Sequence, residues 1–276
     1  MNLKLTLIMP AYNEESTIEA VVRKVMKYND VHQLIVINDA STDRTPEILK
    51  SLAEEFNCIE IINHHKNSGK TAALKLGFTA ISGNVVVIQD ADLEYDPEEI
   101  PSLIEPIVKG WADVVYGSRF RLRKTGRVMY FYHYLANVML TFISNMFTNL
   151  NMTDIETCYK AFKSSILQNM IITSKGFGIE IELTAKIAKL RGVRVFEVPI
   201  SYYGRSYEEG KKIHTIDGIW ALWYIIKYNC FCSTKNLFLI HLLAIHTDAM
   251  MASHLTKIPT INGYSGNSPR NYNPWN

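Results

Sequence analysis

Four consecutive β-branched residues, Val85-Val86-Val87-Ile88, constrain the fold of this chain more than any other stretch. They show no polar alternation, so a strand built from them is buried on both faces, the condition met in mostly parallel sheets covered by helices. Leu3 to Met9, Gln33 to Ile37 and Cys58 to Ile62 read as further strands. Helical stretches separate them: Glu14 to Tyr28, Thr42 to Phe56 with Pro46 tolerated in its first turn, and Ser68 to Ser82. Pro97 starts another helix, and Ala112 to Gly117 and Arg194 to Val198 predict two more strands. Ile179 to Leu190 is an amphipathic helix, as is Thr215 to Tyr228 with Ile216, Ile219, Trp220, Trp223 and Ile226 on one side. The predicted class is therefore α/β, a mostly parallel central sheet flanked by helices, with C-terminal amphipathic helices and an irregular tail. At 276 residues the chain accommodates one large domain, expected over 1–230. Residues 231–276 are expected to form a short apolar segment and a tail rich in Pro, Asn, Gly and Ser.

In such sheets ligands bind beyond the carboxyl ends of the strands. Three polar clusters fall there: Tyr12-Asn13-Glu14, Asn38-Asp39 and Asp90-Ala91-Asp92-Leu93-Glu94. An extended backbone through the last of these puts alternate side chains on one face, so Asp90, Asp92 and Glu94 are expected to converge on one cation. Hard oxygen ligands suit Mg²⁺ or Mn²⁺, and a cation with free positions at a strand end suits a diphosphate. Tyr12 beside Glu14 can stack on a base and accept its N–H groups, and Asp39 can bind ribose or base, though both segments also read as ordinary helix starts. Asn67-Ser68-Gly69-Lys70-Thr71 looks like the end of a P-loop, but the position five residues before Gly69 is His64, so the glycine needed for a triphosphate cradle is missing. Gly69 is expected instead in a tight turn before a helix, with Lys70 near a phosphate. Arg119 in Gly117-Ser118-Arg119, and Arg205 and Lys211 in the run from Tyr203 to Lys212, are candidate anion clamps.

Charge and composition narrow the partners. A formal charge of +2 gives no reason to expect nucleic acid, and Cys58, Cys158, Cys230 and Cys232 fit neither zinc spacing nor a disulfide scaffold. Met1-Asn2-Leu3-Lys4 runs directly into a strand pattern, which predicts no export signal. Arg119, Arg121, Arg123, Lys124 and Arg127 form a basic stretch, and Val128 to Phe147 comes after it without a formal charge. His133, Asn137, Thr141, Ser144, Asn145 and Thr148 make a polar stripe opposite Phe131, Leu135, Val138, Phe142 and Met146. That pattern fits a helix lying in a membrane interface or a helix of the core, rather than a span. The run Leu237 to Ile245 is too short to cross a bilayer.

Taken in order, P-A-Y-N-E, I-N-D-A-S-T-D, D-A-D-L-E with Pro97 following, V-Y-G-S-R, D-I-E-T-C-Y-K-A-F from Asp154, F-G-I-E-I-E from Phe177, and V-P-I followed by Arg205 and Lys211 resemble the family 2 glycosyltransferases. The resemblance is to the dolichyl-phosphate mannosyltransferase-like branch and covers Leu3 to Tyr228. It implies a GT-A, nucleotide-diphospho-sugar transferase type of fold. Pro10, Tyr12, Glu14, Ile37, Asp39, Asp90 and Ala91 would bind the donor; Asp90, Asp92 and Glu94 would hold Mg²⁺ or Mn²⁺; and Asp92, Arg119, Arg205 and Lys211 would form the reaction centre. Asn38 stands where relatives often carry aspartate, and Glu156-Thr157-Cys158 replaces a more usual run of small residues. Both departures leave donor preference open. The tail segment Pro259 to Gly266 resembles a fragment of larger polytopic membrane proteins of glycan assembly, as a fused or truncated gene would produce; a membrane-protein partner stands separately among the expectations. The implied activity is inverting transfer of a hexose from a nucleotide-sugar donor to a polyprenyl phosphate, at the membrane surface on the cytoplasmic side. Elongation of a glycan on a sugar hydroxyl and a noncatalytic nucleotide-sugar binder are the competing expectations.

Overall fold

The computed structural model describes residues 2–121, 127–168, 170–205 and 215–232. The expectations that concern Arg123, Lys124, Lys211, Leu237 to Ile245 and the tail lie outside the described residues.

The chain alternates strand and helix from its start. β1 (Leu5–Ala11), α1 (Ile18–Met26), β2 (Val31–Asn38), α2 (Thr45–Glu55), β3 (Ile59–Asn63), α3 (Lys70–Thr79) and β4 (Val85–Ile88) come first. A 3₁₀ turn at Pro97–Glu99 leads into α4 (Ile100–Val108), β5 (Val114–Ser118) and α5 (Phe131–Thr148). The remainder is β6 (Lys160–Lys163), α6 (Ser164–Leu167), α7 (Ile179–Ile187), β7 (Val195–Pro199) and α8 (Thr215–Cys230). The strands form one seven-stranded sheet in the order β3-β2-β1-β4-β6-β5-β7. All neighbours run parallel except β6, which is antiparallel to both β4 and β5. The central strands have the burial their sequences demand: Val85 to Ile88 and Leu34 to Ile37 are buried, as are Leu7, Ile8 and Met9.

Covering helices supply the other half of the core. α1 buries Ile18, Val21, Val22 and Val25, the i, i+3, i+4, i+7 face of a helix on a sheet. α3 approaches so closely that a Cβ on Gly77 would stand 2.5 Å from Ile8 Cγ2, so only glycine fits at that crossing. The expected helix at Pro97 begins as a 3₁₀ turn, with the Asp96 side chain accepting from the Glu98 N–H.

Two features go beyond the sequence-based expectations. β6 is not one of the expected strands, and its reversal places Lys160 opposite Ile88. The segment entering β6 therefore reaches the same rim as the segment leaving β4. In α5 the polar stripe faces inward: Thr141 and Ser144 are buried with Leu140, while Phe142 and Met146 are 62% and 63% exposed. α5 packs on α8, whose Ile219, Trp220 and Trp223 are also exposed. Among the described residues no helix is long and apolar enough to cross a membrane.

Candidate active site

The rim at the carboxyl ends of β1, β2, β4, β5 and β7 gathers most of the residues singled out by sequence. β2 ends on Asn38, paired with Ala11 of β1 and Asn63 of β3. Asp39 comes next and is almost wholly buried, its Oδ1 accepting from the Ser68 N–H at 2.9 Å and lying 2.6 Å from His64 Nδ1. Its Oδ2 accepts from the Gly69 N–H at 2.7 Å. The backbone donors that a P-loop would aim at phosphate thus close on a carboxylate of this chain. Gly69 takes φ +83 to make that turn, and Lys70 occupies the first position of α3.

On the β1 side, Pro10 lies past the last rung that β1 shares with β4, so its missing N–H costs nothing there. Asn13 takes φ 52 and its Oδ1 accepts from the Thr42 N–H, an arrangement that asparagine tolerates better than most residues. Tyr12 is half-buried beside it. Glu14 is buried, with its N–H donating to Thr45 Oγ1. Ile37 is fully buried, its Cδ1 3.0 Å from where a Cβ on Gly77 would stand, so it supports the strand under Asp39 from within the core.

After β4 the backbone does not remain extended. Residues 91–95 bend, and Leu93 takes φ 60, a left-handed conformation that costs a bulky residue roughly 1–3 kcal/mol. Three contacts hold it: the Glu94 N–H donates to Asp92 Oδ1, the Ala91 carbonyl accepts from the Thr17 hydroxyl, and the Glu94 carbonyl accepts from the Tyr203 N–H. The expected alternation therefore fails, and the acids divide between two cations, Asp90 turning to Lys70 while Asp92 and Glu94 turn to Arg205. Asp90 Oδ1 sits 3.1 Å from Lys70 Nζ, which is also 3.4 Å from Glu180 Oε1 at the start of α7. Asp92 Oδ2 accepts from Arg205 Nη2 at 2.8 Å. Glu94 accepts from the Tyr202 hydroxyl at 2.8 Å and from the Arg205 N–H at 2.7 Å. Arg205 also spans to Glu14 at 3.2 and 3.3 Å. One guanidinium thus joins the acid of the first motif to those of the third.

Among the described residues no group of three His, Cys, Asp or Glu side chains is assembled as a metal site. The donor set nevertheless suits a hard divalent cation. Burial raises the Asp92 carboxyl to about 7, helped by the neighbouring charges of Asp90 and Glu94 and opposed by Arg205. A site that crowds carboxylates until one holds a proton near neutrality gains by exchanging that proton for a cation. Lys70 behaves in the complementary way: burial pulls its ammonium down, and Asp90, Cys158 and Glu180 more than offset this, holding it well above the ordinary value.

Arg119, at the end of β5, is committed to Asp154. Its Nε and Nη2 donate to the two carboxylate oxygens at 2.7 and 2.8 Å, its backbone N–H adds a third bond at 3.1 Å, and Nη2 reaches Asn137 of α5 at 3.2 Å. The guanidinium also lies 5.1 Å from the Tyr202 ring centroid. Sequence reasoning gives no site role to Tyr202, Lys160 or Glu180. Lys160 is fully buried and bonds Glu180 and the Thr157 carbonyl. Two signals in the sequence could have found Lys160 and Glu180: both lie in segments that carry the family resemblance, and both are charged residues inside otherwise apolar runs, Lys160 before Ala161-Phe162 and Glu180 between isoleucines.

The model of the family described as Glycosyl transferase family 2 matches residues 6–171. The chain is 28% identical over 219 residues to the undecaprenyl-phosphate mannosyltransferase of Micrococcus luteus, covering 76% of this chain and 87% of that one. It is 29% identical over 215 residues to the dolichol-phosphate mannosyltransferase of Pyrococcus furiosus, covering 76% of this chain but 59% of that protein's length. Among solved structures it is similar to glucosyl-3-phosphoglycerate synthase from Mycobacterium tuberculosis, crystallised with Mn²⁺, uridine diphosphate and glucosyl-3-phosphoglycerate. That likeness has a TM-score of 0.65 at 20% identity over 82% of this chain and 80% of the other, and it bears on the fold. The fold is the GT-A type that the motifs imply.

Proposed function

The chain belongs to glycosyl transferase family 2, and on that premise we propose that it moves a hexose, with inversion, from a nucleoside-diphosphate sugar to a polyprenyl phosphate at the inner face of the cell membrane. The observation that carries this reading is the inverted amphipathicity of α5. Its polar edge is bonded to the cleft through Asn137 and Arg119, while Phe131, Leu135, Phe142 and Met146 face outward beside the exposed tryptophans of α8. Large contiguous apolar faces on a soluble enzyme mark a surface that docks elsewhere, and a phosphate head on an apolar tail matches a charged cleft bordered by such a face. The mannosyltransferases to which the chain is similar are named for undecaprenyl and dolichol phosphates.

The chemistry is set by the charges in the cleft. Asp90, Asp92 and Glu94 would hold Mg²⁺ or Mn²⁺, which when bound neutralises charge developing on the departing diphosphate. Glu14, Tyr12, Pro10 and Asp39 would form the nucleoside end, with Ala91 beneath it. Arg205 lies between that end and the acids, where it can follow phosphate charge from the resting carboxylates to the ligand. Arg119, held by Asp154, adds positive potential from the α5 side, and Lys211 belongs to the same proposed set. An acceptor phosphate monoester has its second ionisation at about pH 6, so at neutral pH its oxygen is already an anion. It forms the new bond at the anomeric carbon as the bond to the diphosphate breaks, with the electron pair leaving on the diphosphate. No side chain has to remove a proton.

Purified full-length chain, Mn²⁺, undecaprenyl phosphate and radiolabelled UDP- or GDP-hexoses provide the test. Label should enter the organic phase for one donor, and Asp92→Ala should abolish this without unfolding the chain. Label appearing only in free sugar or a glycan, for every donor, rejects the lipid-phosphate reading.

A further inference from the structure

The segment Asp154 to Cys158 is fixed at both ends. Asp154 holds Arg119 on one side, and on the other the Cys158 N–H donates to the Tyr95 hydroxyl at 3.2 Å while Lys160 bonds the Thr157 carbonyl and Glu180. Because β6 runs antiparallel to β4, this segment stands at the rim beside Asp90. Glu156 is at its middle, two residues and so at most ~7 Å of backbone from Asp154 and from Cys158. It therefore lies between the Arg119 end of the cleft and the Lys70–Asp90–Glu180 end.

Glu156 has an oxygen left over. Its Oε1 is shut away from solvent with no hydrogen-bond donor, although the residue as a whole is only half-buried. Glu180, 4% exposed, has the same deficit: its Oε2 takes Lys160, while its Oε1 makes no hydrogen bond and has Lys70 at 3.4 Å. Buried carboxylate oxygens without donors are costly and rare in finished structures, so two of them flanking one cleft call for donors from a ligand. The terminal torsion of glutamate is broad, so either oxygen of Glu156 can turn to the open side. Burial first, and then the charge of Glu180, hold the Glu156 carboxyl up at about 7, which a ligand donor would relieve.

We propose that Glu156 is a specificity-determining residue that accepts a hydrogen bond from a hydroxyl of the transferred sugar, and that it disfavours sugars bearing a carboxylate there. The inference rests on the hexosyltransferase reading and adds to it the class of sugar selected. A neutral hexose offers O–H donors to an acid of this kind, whereas a uronic acid would bring a third carboxylate beside Glu156 and Glu180. Sites built to bond a hydroxyl reject the analogue lacking it far more strongly than apolar pockets reject a missing methylene.

The test compares the wild-type chain with Glu156→Gln and Glu156→Asp, using the hexose donor that wild type transfers, its monodeoxy analogues, the matching UDP- or GDP-uronic acid, and the free nucleoside diphosphate. Glu156→Gln should lose about 10- to 100-fold in kcat/KM on the parent donor, the range expected for a charge-assisted hydrogen bond. On the one deoxy analogue that lacks the recognised hydroxyl, it should equal wild type. Binding of the free nucleoside diphosphate should not change, and the parent-to-uronic preference should narrow. Equal losses on the parent and every deoxy analogue, or weakened nucleoside diphosphate binding, would overturn the proposal, because a purely structural acid predicts those results. Glu156→Asp keeps the charge if the glutamine variant folds poorly; it should retain the parent-to-uronic preference, and losing it would also overturn the proposal. A wild-type chain that labels no lipid from any donor rejects the functional reading instead, and the analogue pattern is then read on donor hydrolysis.

Discussion

Replacing Asp154 by alanine should remove a large share of the stability of this domain. The carboxylate is completely buried and accepts from Arg119 Nε, Nη2 and backbone N–H. Arg119, itself 8% exposed, would keep its charge even without Asp154, since a guanidinium does not give up its proton inside a protein although burial pulls its pKa down. A guanidinium stranded in a closed site costs about 3–5 kcal/mol, and the orphaned N–H is part of that figure. Against a total of roughly 5–15 kcal/mol, this is about a fifth or more of what keeps a typical domain folded. With a urea slope of about 2–3 kcal/mol per molar, the unfolding midpoint should fall by about 1–2.5 M. The companion variant Arg119→Met/Asp154→Leu, which removes both charges, should recover most of the loss. A midpoint shift for Asp154→Ala within about 0.3 M, or a double variant as unstable as the single, would refute the argument that the stranded charge sets the cost. The double variant also separates two roles for Arg119. Stable and inactive would retain it as an anion clamp; stable and active would make it a strut between β5 and α5.

Asp92 gives a pH dependence whose direction is determined. Its carboxyl titrates near 7 in the folded chain against 3.8 ordinarily, so between those values the folded state holds more protons than the unfolded one, and the metal-free protein should lose stability as pH rises through that window. Mn²⁺ must displace that proton, so its affinity, measured by calorimetry at several pH values, should rise up to about pH 7 and then level; Asp92→Asn should flatten the curve. Gly77→Ala should cost about 1–3 kcal/mol by driving a methyl into Ile8, read as a lower urea midpoint with unchanged slope. Phe142→Glu with Met146→Glu should weaken sedimentation with anionic phospholipid vesicles by about 10-fold or more while leaving nucleoside diphosphate binding intact; unchanged sedimentation would place the docking face elsewhere.

The parallel half of the sheet is legible in the sequence because its strands are long apolar runs with turn residues between them, and their bounds shift by only a few residues in the structure. β6 is not, because Lys160-Ala161-Phe162-Lys163 is short and ends in lysines. Lys160 is nonetheless wholly buried, since Glu180 arrives from α7, and that pairing is invisible to any local pattern. The acids after β4 stand out in the sequence, yet alternation misjudges their aim, because Leu93 adopts a left-handed conformation that only the surrounding contacts enforce. Similarly, the stripe on α5 is visible while its facing is not. Periodicity separates two faces of a helix, but only packing decides which of them meets the protein.

The reversal of β6 also bears on how a scaffold of this shape diversifies. A strand running with its neighbours carries the residues after it to the working edge; one running against them carries the residues before it. Residues 154–158 thereby enter the cleft on a separate tether from the acids after β4. On the roles proposed above, exchanging the Glu156 side chain on that tether would let preference for the transferred group drift while the acids after β4 are inherited unaltered.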